Sequence, residues 1–428
     1  MNKSIMYLSY NTKYGAEKND LYFFNFLKRK LYVDLFLLSD NFKAGYYSYD
    51  KKFKNDSEFS QNNIYWLKSK TEIFLKILKY DIILISGLYG ASEFSKFCKK
   101  FNKKVIVLDT VFNQDFSKSI DADLILFKGN YAYQVFKRQS DQKKINYKIC
   151  GCLQTVFIKK NLISRKNFYR KYKLNKRECV TLFPHGPQYL DDNFYIKTLK
   201  QIIKVLSIRK INLLINPHPT FFLKNKAKKF SIKIFNKITK DKNINTVFIH
   251  PSDVYNAIKY SKFSVSISSN VFQQVNLINK PMIFVNRQIF YSTNKSNFSK
   301  KTKLKHYNLY KFDVDKSLIK NEKLSHMIET QVIKDHMYFY GTDIDYTSLD
   351  KIFSLKKKCN FKSKKFKKHL QNISMYQDID CYQKTSDQIY NFFNSVKKTQ
   401  TKKYKIYLYK YVLKMLINLK KIKNFIYF

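Results

Sequence analysis

Short apolar runs alternate with amphipathic stretches over the first 160 residues, and this rhythm predicts an α/β domain. The apolar runs are nearly continuous in Ile, Leu and Val, as expected of parallel strands that are covered on both faces. We expect a doubly wound parallel sheet, with ligand crevices at the carboxyl ends of its strands. The predicted strands are Ile5–Tyr10, Tyr32–Leu38, Asp81–Ser86, Lys104–Leu108, Leu124–Phe127 and Tyr147–Cys150, and the predicted helices are Asp20–Lys30 and Ala91–Asn102.

The same rhythm restarts after a basic stretch that lacks long apolar runs. We therefore predict an N-terminal domain at 1–160, a linker at 161–177, a second Rossmann-like domain at 178–295 and a basic, mostly helical C-terminal extension at 296–428. Two doubly wound domains joined in this way would face each other across a cleft. The second set of predicted strands is Cys179–Phe183, Ile211–Ile215, Thr246–His250, Phe263–Ile267 and Met282–Val285.

The charge of the chain suggests an anionic partner but does not identify it. Lys and Arg number 82 against 31 Asp and Glu, which gives a net charge of +51. Nucleic acid, anionic lipid and phosphorylated ligands all suit this sign. Arg is scarce, however, and nucleic-acid readers favour Arg for bidentate contacts, so nucleic acid is not expected as the main ligand. The excess of Lys, Asn, Ile, Phe and Tyr is also what an AT-rich coding sequence would produce.

Cysteine usage and targeting signals indicate one compartment. The six cysteines are scattered without a CxxC pair, which predicts reduced thiols and no metal site or cofactor. The apolar run at the N-terminus is too short for a signal peptide, and no stretch of 18 apolar residues exists. We expect a cytoplasmic protein.

The last part of the chain has the strongest charge imbalance. Ten lysines and no acidic residue follow Asp387. Such a helix could lie peripherally on the anionic inner face of the cytoplasmic membrane, or it could pack back onto the first domain, and the sequence leaves both open. Its apolar stripe would be Leu408, Val412, Met415, Leu419, Ile422 and Ile426.

Polar motifs follow two predicted strands of the second domain. His218 and Pro219, within Asn216-Pro217-His218-Pro219, come directly after Ile211–Ile215, where a His can hold a phosphate or donate a proton. Ser268, Ser269 and Asn270 follow the strand Phe263–Ile267 and open a helix, where hydroxyls and free N–H groups suit an anion. A proline turn and a helix N-cap would use the same residues. Together they predict a phosphate site.

These motifs resemble a known pattern. "NPHP" followed by "HPSDVYNAIKYSKFSVSISSNVFQQVNLINKPMIFV" resembles the donor domain of GT-B glycosyltransferases of bacterial surface polysaccharide synthesis. The nearest groups are the sialyl/polysialyl and Kdo transferases, with His-Pro and Ser-Ser motifs, and the CDP-glycerol glycerophosphotransferases. "DADLILFKGNYAYQVF" and "YKICGCLQTVF" are similar to the last strands of their acceptor domain. The resemblance covers roughly residues 80–290.

The resemblance implies a metal-independent transfer from a CMP-, CDP- or UDP-linked donor to a glycan or glycolipid acceptor, with no cofactor. His218 and the Ser268/Ser269 pair would bind the phosphate of the donor, and a carboxylate of the first domain would be the general base. Asp109 stands where the sialyltransferases carry two acidic residues and a Gly, so it is the candidate base, and Asp115 is the second candidate. A turn residue at a strand end would explain Asp109 equally well. A Glu typical of such donor domains is Gln274 here, whose amide can still bond hydroxyls.

Four further residues are weaker candidates for contact with donor or acceptor. His185 and Gly186 follow the strand Cys179–Phe183, and Ser252 and Tyr255 follow His250-Pro251. An ordinary loop explains the first pair, and a strand-to-helix turn explains the second. Two other functions stay open: a nucleotide-sugar epimerase or hydrolase of the same fold, and a non-enzymatic protein that binds nucleic acid or an anionic surface.

Overall fold

The computed structural model describes residues 4–9, 16–38, 61–109, 120–139, 146–184, 199–216 without 201, 205 and 209, 244–250, 253–267, 271–285, 338–340 and 364–396. The chain divides into two compact units. The first comprises Met1–Lys160 and Gln371–Phe428, and the second comprises Asn161–Leu370.

The first unit is built on a seven-stranded sheet in which all neighbouring strands are parallel. Every residue of its first, second, fourth and sixth strands is buried, because helices cover both faces. The strands are β1 (Ile5–Ser9), β2 (Val33–Leu38), β3 (Ile64–Leu67), β4 (Ile82–Ser86), β5 (Lys104–Leu108), β6 (Leu124–Phe127) and β7 (Tyr147–Ile149), and the helices are α1 (Ala16–Leu27), α2 (Lys70–Ile77), α3 (Leu88–Lys100), α4 (Asn130–Gln139) and α5 (Gln154–Lys160).

The order of the strands in this sheet is β3-β2-β1-β4-β5-β6-β7. From β1 the chain builds outward to β3 on one side and then returns to β4 on the other side. Ser9 and Ser86, the last residues of β1 and β4, are direct register partners. Because ligands of open α/β sheets bind where the strand order reverses, the carboxyl ends of β1 and β4 mark the ligand edge of this unit.

The second unit is built on a six-stranded parallel sheet of order β10-β9-β8-β11-β12-β13. Its strand order reverses between β8 and β11, so its ligand edge lies beyond the carboxyl ends of these two strands. The strands are β8 (Glu178–Phe183), β9 (Ile211–Ile215), β10 (Ile244–Phe248), β11 (Phe263–Ile267), β12 (Met282–Val285) and β13 (Tyr338–Tyr340), and the helices are α6 (Arg165–Lys171), α7 (Val254–Tyr260) and α8 (Phe272–Leu277).

Two helices follow late in the chain, α9 (Lys364–Ile373) and α10 (Asp378–Ser395). The second of them completes the core of the first unit. The buried ring of Tyr382 packs edge-on against Phe23, with 5.2 Å between ring centroids, and against Phe26, at 5.7 Å. Ile389 and Val396 belong to the same buried cluster as the residues of β1 and α1. The first unit is therefore made from two stretches that lie far apart in sequence.

The predicted linker, 161–177, carries α6 and is fastened to the second unit. The side-chain amide of Asn256, on α7, accepts a hydrogen bond from the backbone N–H of Ile163 (2.9 Å) and donates one to the carbonyl of Asn161 (3.1 Å). Phe168 is fully buried in a cluster with Leu214 and neighbouring residues. The domain boundaries read from composition stay predictions, but this segment packs as part of the second unit.

The α/β class and the central strands are confirmed. The bounds of β5, β6, β9, β11 and β12 agree residue for residue with the prediction. β3 and α2 were missed, although α2 has clear local signals. Ser69 caps this helix by accepting a hydrogen bond from the N–H of Glu72 (3.2 Å), and the Glu72 carboxylate accepts one from the N–H of Lys68 (2.7 Å).

No helix among the residues that the structure describes is long and apolar enough to cross a bilayer. The predicted apolar stripe of the chain end, residues 408–426, lies outside the described residues.

Candidate functional site

The ligand edge of the first unit carries a buried network of hydroxyls around one carboxylate. Asp20, on α1, accepts hydrogen bonds from Tyr7 Oη (2.8 Å), Ser86 Oγ (2.9 Å) and Ser9 Oγ. Burial raises the pKa of the Tyr7 phenol well above its usual range, and the charge of Asp20 raises it further. The phenol therefore stays protonated and keeps donating. The network fixes the two serines that end β1 and β4.

The helix α1 begins at Ala16, four residues before the predicted start at Asp20. The carboxylate does not stand at a helix start in solvent. It points into the unit, where the hydroxyl donors of β1 and β4 compensate its burial.

Asp109, the predicted general base, directly follows β5 on the same edge. Its backbone N–H donates to the carbonyl of Leu126 (3.0 Å), which extends the pairing of β5 with β6 by one residue. The side chain has no exposed surface, and its Oδ1 lies 3.5 Å from Nζ of Lys128. Lys128 itself follows β6 and is 2% exposed. Two opposite charges are thus buried side by side on adjacent strand ends.

Sequence reasoning missed Lys128. The available signal was a lysine placed directly after a fully apolar strand, in Leu-Ile-Leu-Phe-Lys. That signal becomes specific only once β6 is known to lie beside β5, which brings Lys128 next to Asp109.

Cys152, at the start of the turn into α5, interacts electrostatically with Lys128 and Asp109 and carries a potentially nucleophilic thiol. Burial raises the pKa of its thiol to about 12, although Lys128 acts in the opposite direction. At neutral pH the thiol is therefore protonated, and only the thiolate is an effective nucleophile.

A short stretch, residues 372–376, passes over the ends of β6 and β7, and we name it the returning segment. The backbone N–H of Met375 donates to the carbonyl of Lys128 (3.0 Å). Ser374 Oγ accepts from the N–H of Cys152 (2.8 Å) and donates to the carbonyl of Tyr376 (2.6 Å). A Cβ at Gly129 would lie 2.3 Å from the carbonyl oxygen of Asn372, so only glycine permits this approach.

The ligand edge of the second unit lies partly outside the described residues. This holds for His185, Gly186, His218, Pro219, Ser252, Ser268, Ser269 and Asn270, and in the first unit for Asp115. Their predicted roles stay predictions. Gln274 is half-buried on α8, and Tyr255 is buried on α7. Asn216, which begins the His-Pro motif, is held at the end of β9 because its N–H donates to the carbonyl of Leu182 (2.9 Å).

The turn after β10 is held from α6. Tyr172 Oη donates to the carboxylate of Asp253 (2.6 Å) and accepts a hydrogen bond from the backbone N–H of His250 (3.1 Å). Lys171 Nζ forms an ion pair with the same carboxylate at 2.5 Å. The carboxylate of Asp253 therefore helps to hold α6 against α7.

No family model matches the chain, and no curated protein matches it. Solved structures do match. UDP-GlcNAc 2-epimerase from Methanocaldococcus jannaschii has a TM-score of 0.57 and 12% identity, over 91% of this chain and 99% of that chain. S. aureus MnaA, solved with UDP, has a TM-score of 0.56 and 10% identity, over 94% and 99%. Anabaena HepE in complex with UDP has a TM-score of 0.51 and 9% identity, over 92% and 100%.

The fold is of the GT-B type. At these identities the likeness establishes the architecture alone, and it does so over nearly the whole length of the chain. The part of the predicted resemblance that concerns the fold is thus confirmed, whereas its finer assignment to sialyl, Kdo or glycerophosphate transferases stays a prediction.

Proposed function

We propose that the chain is a GT-B glycosyltransferase that moves a sugar from a nucleotide-activated donor to a growing surface glycan or glycolipid. The observation that carries the proposal is the fold: two parallel α/β units, each with a strand-order reversal, whose matched structures include proteins solved with UDP. The buried charges at the ligand edge of the first unit support it further, since an acceptor hydroxyl needs a base there.

In this proposal the second unit binds the donor. His218, with Pro219, contacts the phosphate together with Ser268, Ser269 and Asn270, and Gln274 bonds hydroxyls of the ribose or sugar. These contacts stabilise the charge that develops on the departing nucleotide, without a metal ion. Asp109 takes the proton of the acceptor hydroxyl, and Asp115 is the alternative base.

A second candidate function is epimerisation of a nucleotide sugar. It is favoured by one observation, namely that the matched structures include UDP-GlcNAc 2-epimerases. An epimerase or hydrolase would act on the nucleotide sugar alone, whereas a transferase needs an acceptor.

This difference gives the experiment. The purified chain is incubated with UDP-, CDP- and CMP-sugars, with and without a lipid-linked or oligosaccharide acceptor, and the products are followed by NMR and mass spectrometry. Release of nucleotide that depends on the acceptor supports the transferase. Conversion of UDP-GlcNAc to its C2 epimer without acceptor supports the epimerase, and free sugar without acceptor supports a hydrolase. If the chain consumes none of the nucleotide sugars, and none of them raises its melting temperature, both enzymatic functions are excluded. The remaining hypothesis is then a non-enzymatic protein that binds an anionic surface.

A further inference from the structure

We propose that Lys128 is a positioning residue for Asp109, and that the returning segment holds Lys128 in place. The inference rests on the proposed function, because it takes Asp109 to be the base that receives the proton of the acceptor.

The Asp109–Lys128 pair is shielded from water. Lys128 Nζ and Asp109 Oδ1 are 3.5 Å apart, and the two side chains are 2% and 0% exposed. Removing two charges from water is costly, and an apolar pair of the same volume would often serve stability as well or better. Their place at the ligand edge, directly after β5 and β6, therefore points to a role in the reaction rather than in stability.

The backbone of Lys128 is held from a distant part of the chain. The hydrogen bond from Met375 N–H to the Lys128 carbonyl fixes the strand end, and the close approach of Asn372 to Gly129 leaves no room for it to shift. On the other side, Ser374 bonds the N–H of Cys152. The ammonium group thus extends toward Asp109 from an anchored main chain.

The role of Lys128 follows from the proton balance of the transfer. The O–H bond of the acceptor breaks, its proton moves to a carboxylate oxygen of Asp109, and its electron pair forms the new bond to the sugar. The nucleotide leaves with the electron pair of the old glycosidic bond. Lys128 takes no part in the proton transfer itself. Its ammonium group, 3.5 Å from Oδ1, holds the carboxylate of Asp109 in the orientation that receives the proton of the acceptor.

The test is a double-mutant cycle in turnover of whichever nucleotide sugar the wild type consumes. The variants are Asp109→Asn, Lys128→Met and the double variant. The matched control is Lys103→Met, which removes another buried lysine (6% exposed) from the opposite, amino edge of the same sheet, just before β5. The values of kcat and KM are measured on the folded fraction, and thermal unfolding is recorded for every variant.

We expect Lys128→Met to lower kcat about as far as Asp109→Asn, on the order of 100-fold, with KM for the nucleotide sugar within about twofold. The double variant should be no slower than the slower single variant, since the residues act as a unit. Lys103→Met should keep the wild-type kcat. If Lys128→Met does not fold, Lys128→Gln replaces it, because its amide can bond the carboxylate without supplying charge.

Wild-type kcat in the Lys128 variants would overturn the inference, and so would losses that multiply in the double variant. A wild type that consumes no nucleotide sugar would sink the proposed function, and the positioning role with it. In that case the thermal unfolding data would still test whether the pair is structural. A double variant that melts at a higher temperature than both single variants would show that each side chain needs the other for stability.

Discussion

Two carboxylates form ion pairs at opposite edges of the first sheet, and only one of them stands at the ligand edge. Asp109 follows β5 at the ligand edge. Asp123 precedes β6 at the other edge, where it binds Lys99 Nζ (2.8 Å), Lys104 Nζ (3.0 Å) and the N–H of Val105 (2.8 Å). Ligands of open α/β sheets bind at the carboxyl edge, so the role of Asp123 is structural.

Asp123 should make the chain sensitive to acid. Burial raises the pKa of this carboxyl, but the hydrogen bonds from Lys99, Val105 and Lys104 outweigh it and lower the pKa below its ordinary value. A group whose pKa is lower in the folded state stabilises above its unfolded pKa, and this stability is lost as the pH falls below it. We expect the gap in melting temperature between wild type and Asp123→Asn to close between about pH 5 and pH 3.

The control for this prediction is Asp121→Asn. Asp121 is half exposed and lies 3.9 Å from Lys99, so its removal should change stability by less than about 0.5 kcal/mol at any pH in that range. A gap for Asp123→Asn that stays constant with pH would contradict the assignment.

The predicted phosphate contact can be tested at one side chain. His218→Ala should remove most transfer activity and weaken nucleotide binding, measured by calorimetry, because the variant loses a donor to the phosphate. The melting temperature should stay nearly unchanged. The control is His306→Ala, a histidine to which the proposal assigns no role. Undiminished binding of UDP, CDP and CMP by His218→Ala would move the phosphate site elsewhere.

Sequence could nominate Asp109 but not its partner. The resemblance to the sialyltransferases nominated Asp109, because it stands after an apolar strand where they carry their acidic residues. Lys128 has the same local signal as many other lysines in this lysine-rich chain. Only the pairing of β5 with β6 and the burial of both side chains distinguish it.

At the scale of elements, the contact between Gly129 and the returning segment predicts a sharp steric effect. Gly129→Ala would place a methyl group 2.3 Å from the carbonyl oxygen of Asn372 and 2.6 Å from that of Ile373. The segment must shift, so we expect a loss of about 1–3 kcal/mol in the free energy of unfolding, measured by urea denaturation.

Ser374→Ala provides a comparison, since it leaves the space unchanged and removes the hydrogen bond from Cys152 N–H. Its cost should be about 1–3 kcal/mol, because a buried N–H loses its acceptor. If Gly129→Ala unfolds at the wild-type urea concentration, the segment does not pack on β6 as described.

Strands were predictable from the sequence where both of their faces are buried. β5, β6 and β9 lie inside their sheets, so their residues form apolar runs with readable ends. β3 is an edge strand, with Tyr65 exposed, and four mixed residues give no such run. The helical character of the region that contains α10 was predicted, but its packing was not, because apolar positions such as Tyr382 find their partners more than 350 residues earlier, in α1.

At the scale of the whole molecule, the charge of the chain makes a membrane test decisive. Full-length protein and a chain ending at Val396 are mixed with vesicles that contain about 30% anionic lipid, at low and high salt. The truncation keeps Val396 because its side chain belongs to the first core. If the tail is an electrostatic anchor, only the full-length protein should bind strongly, and high salt should weaken that binding. Equal binding by both chains, or binding unaffected by salt, would exclude the tail as an anchor.

The first unit is made from two stretches that lie far apart in sequence, and this determines the order in which the two units can complete their folding during synthesis on the ribosome. Cys381, Tyr382, Ile389 and Val396 close a core whose other buried members lie before residue 160. At about 5–20 residues per second, translation from residue 160 to residue 382 takes roughly 10–45 s. During this interval the α1 side of the first sheet is exposed to solvent, while the uninterrupted second unit can emerge and fold. The half of the protein that is made first is therefore the half that is completed last, and it has the greater need of a chaperone.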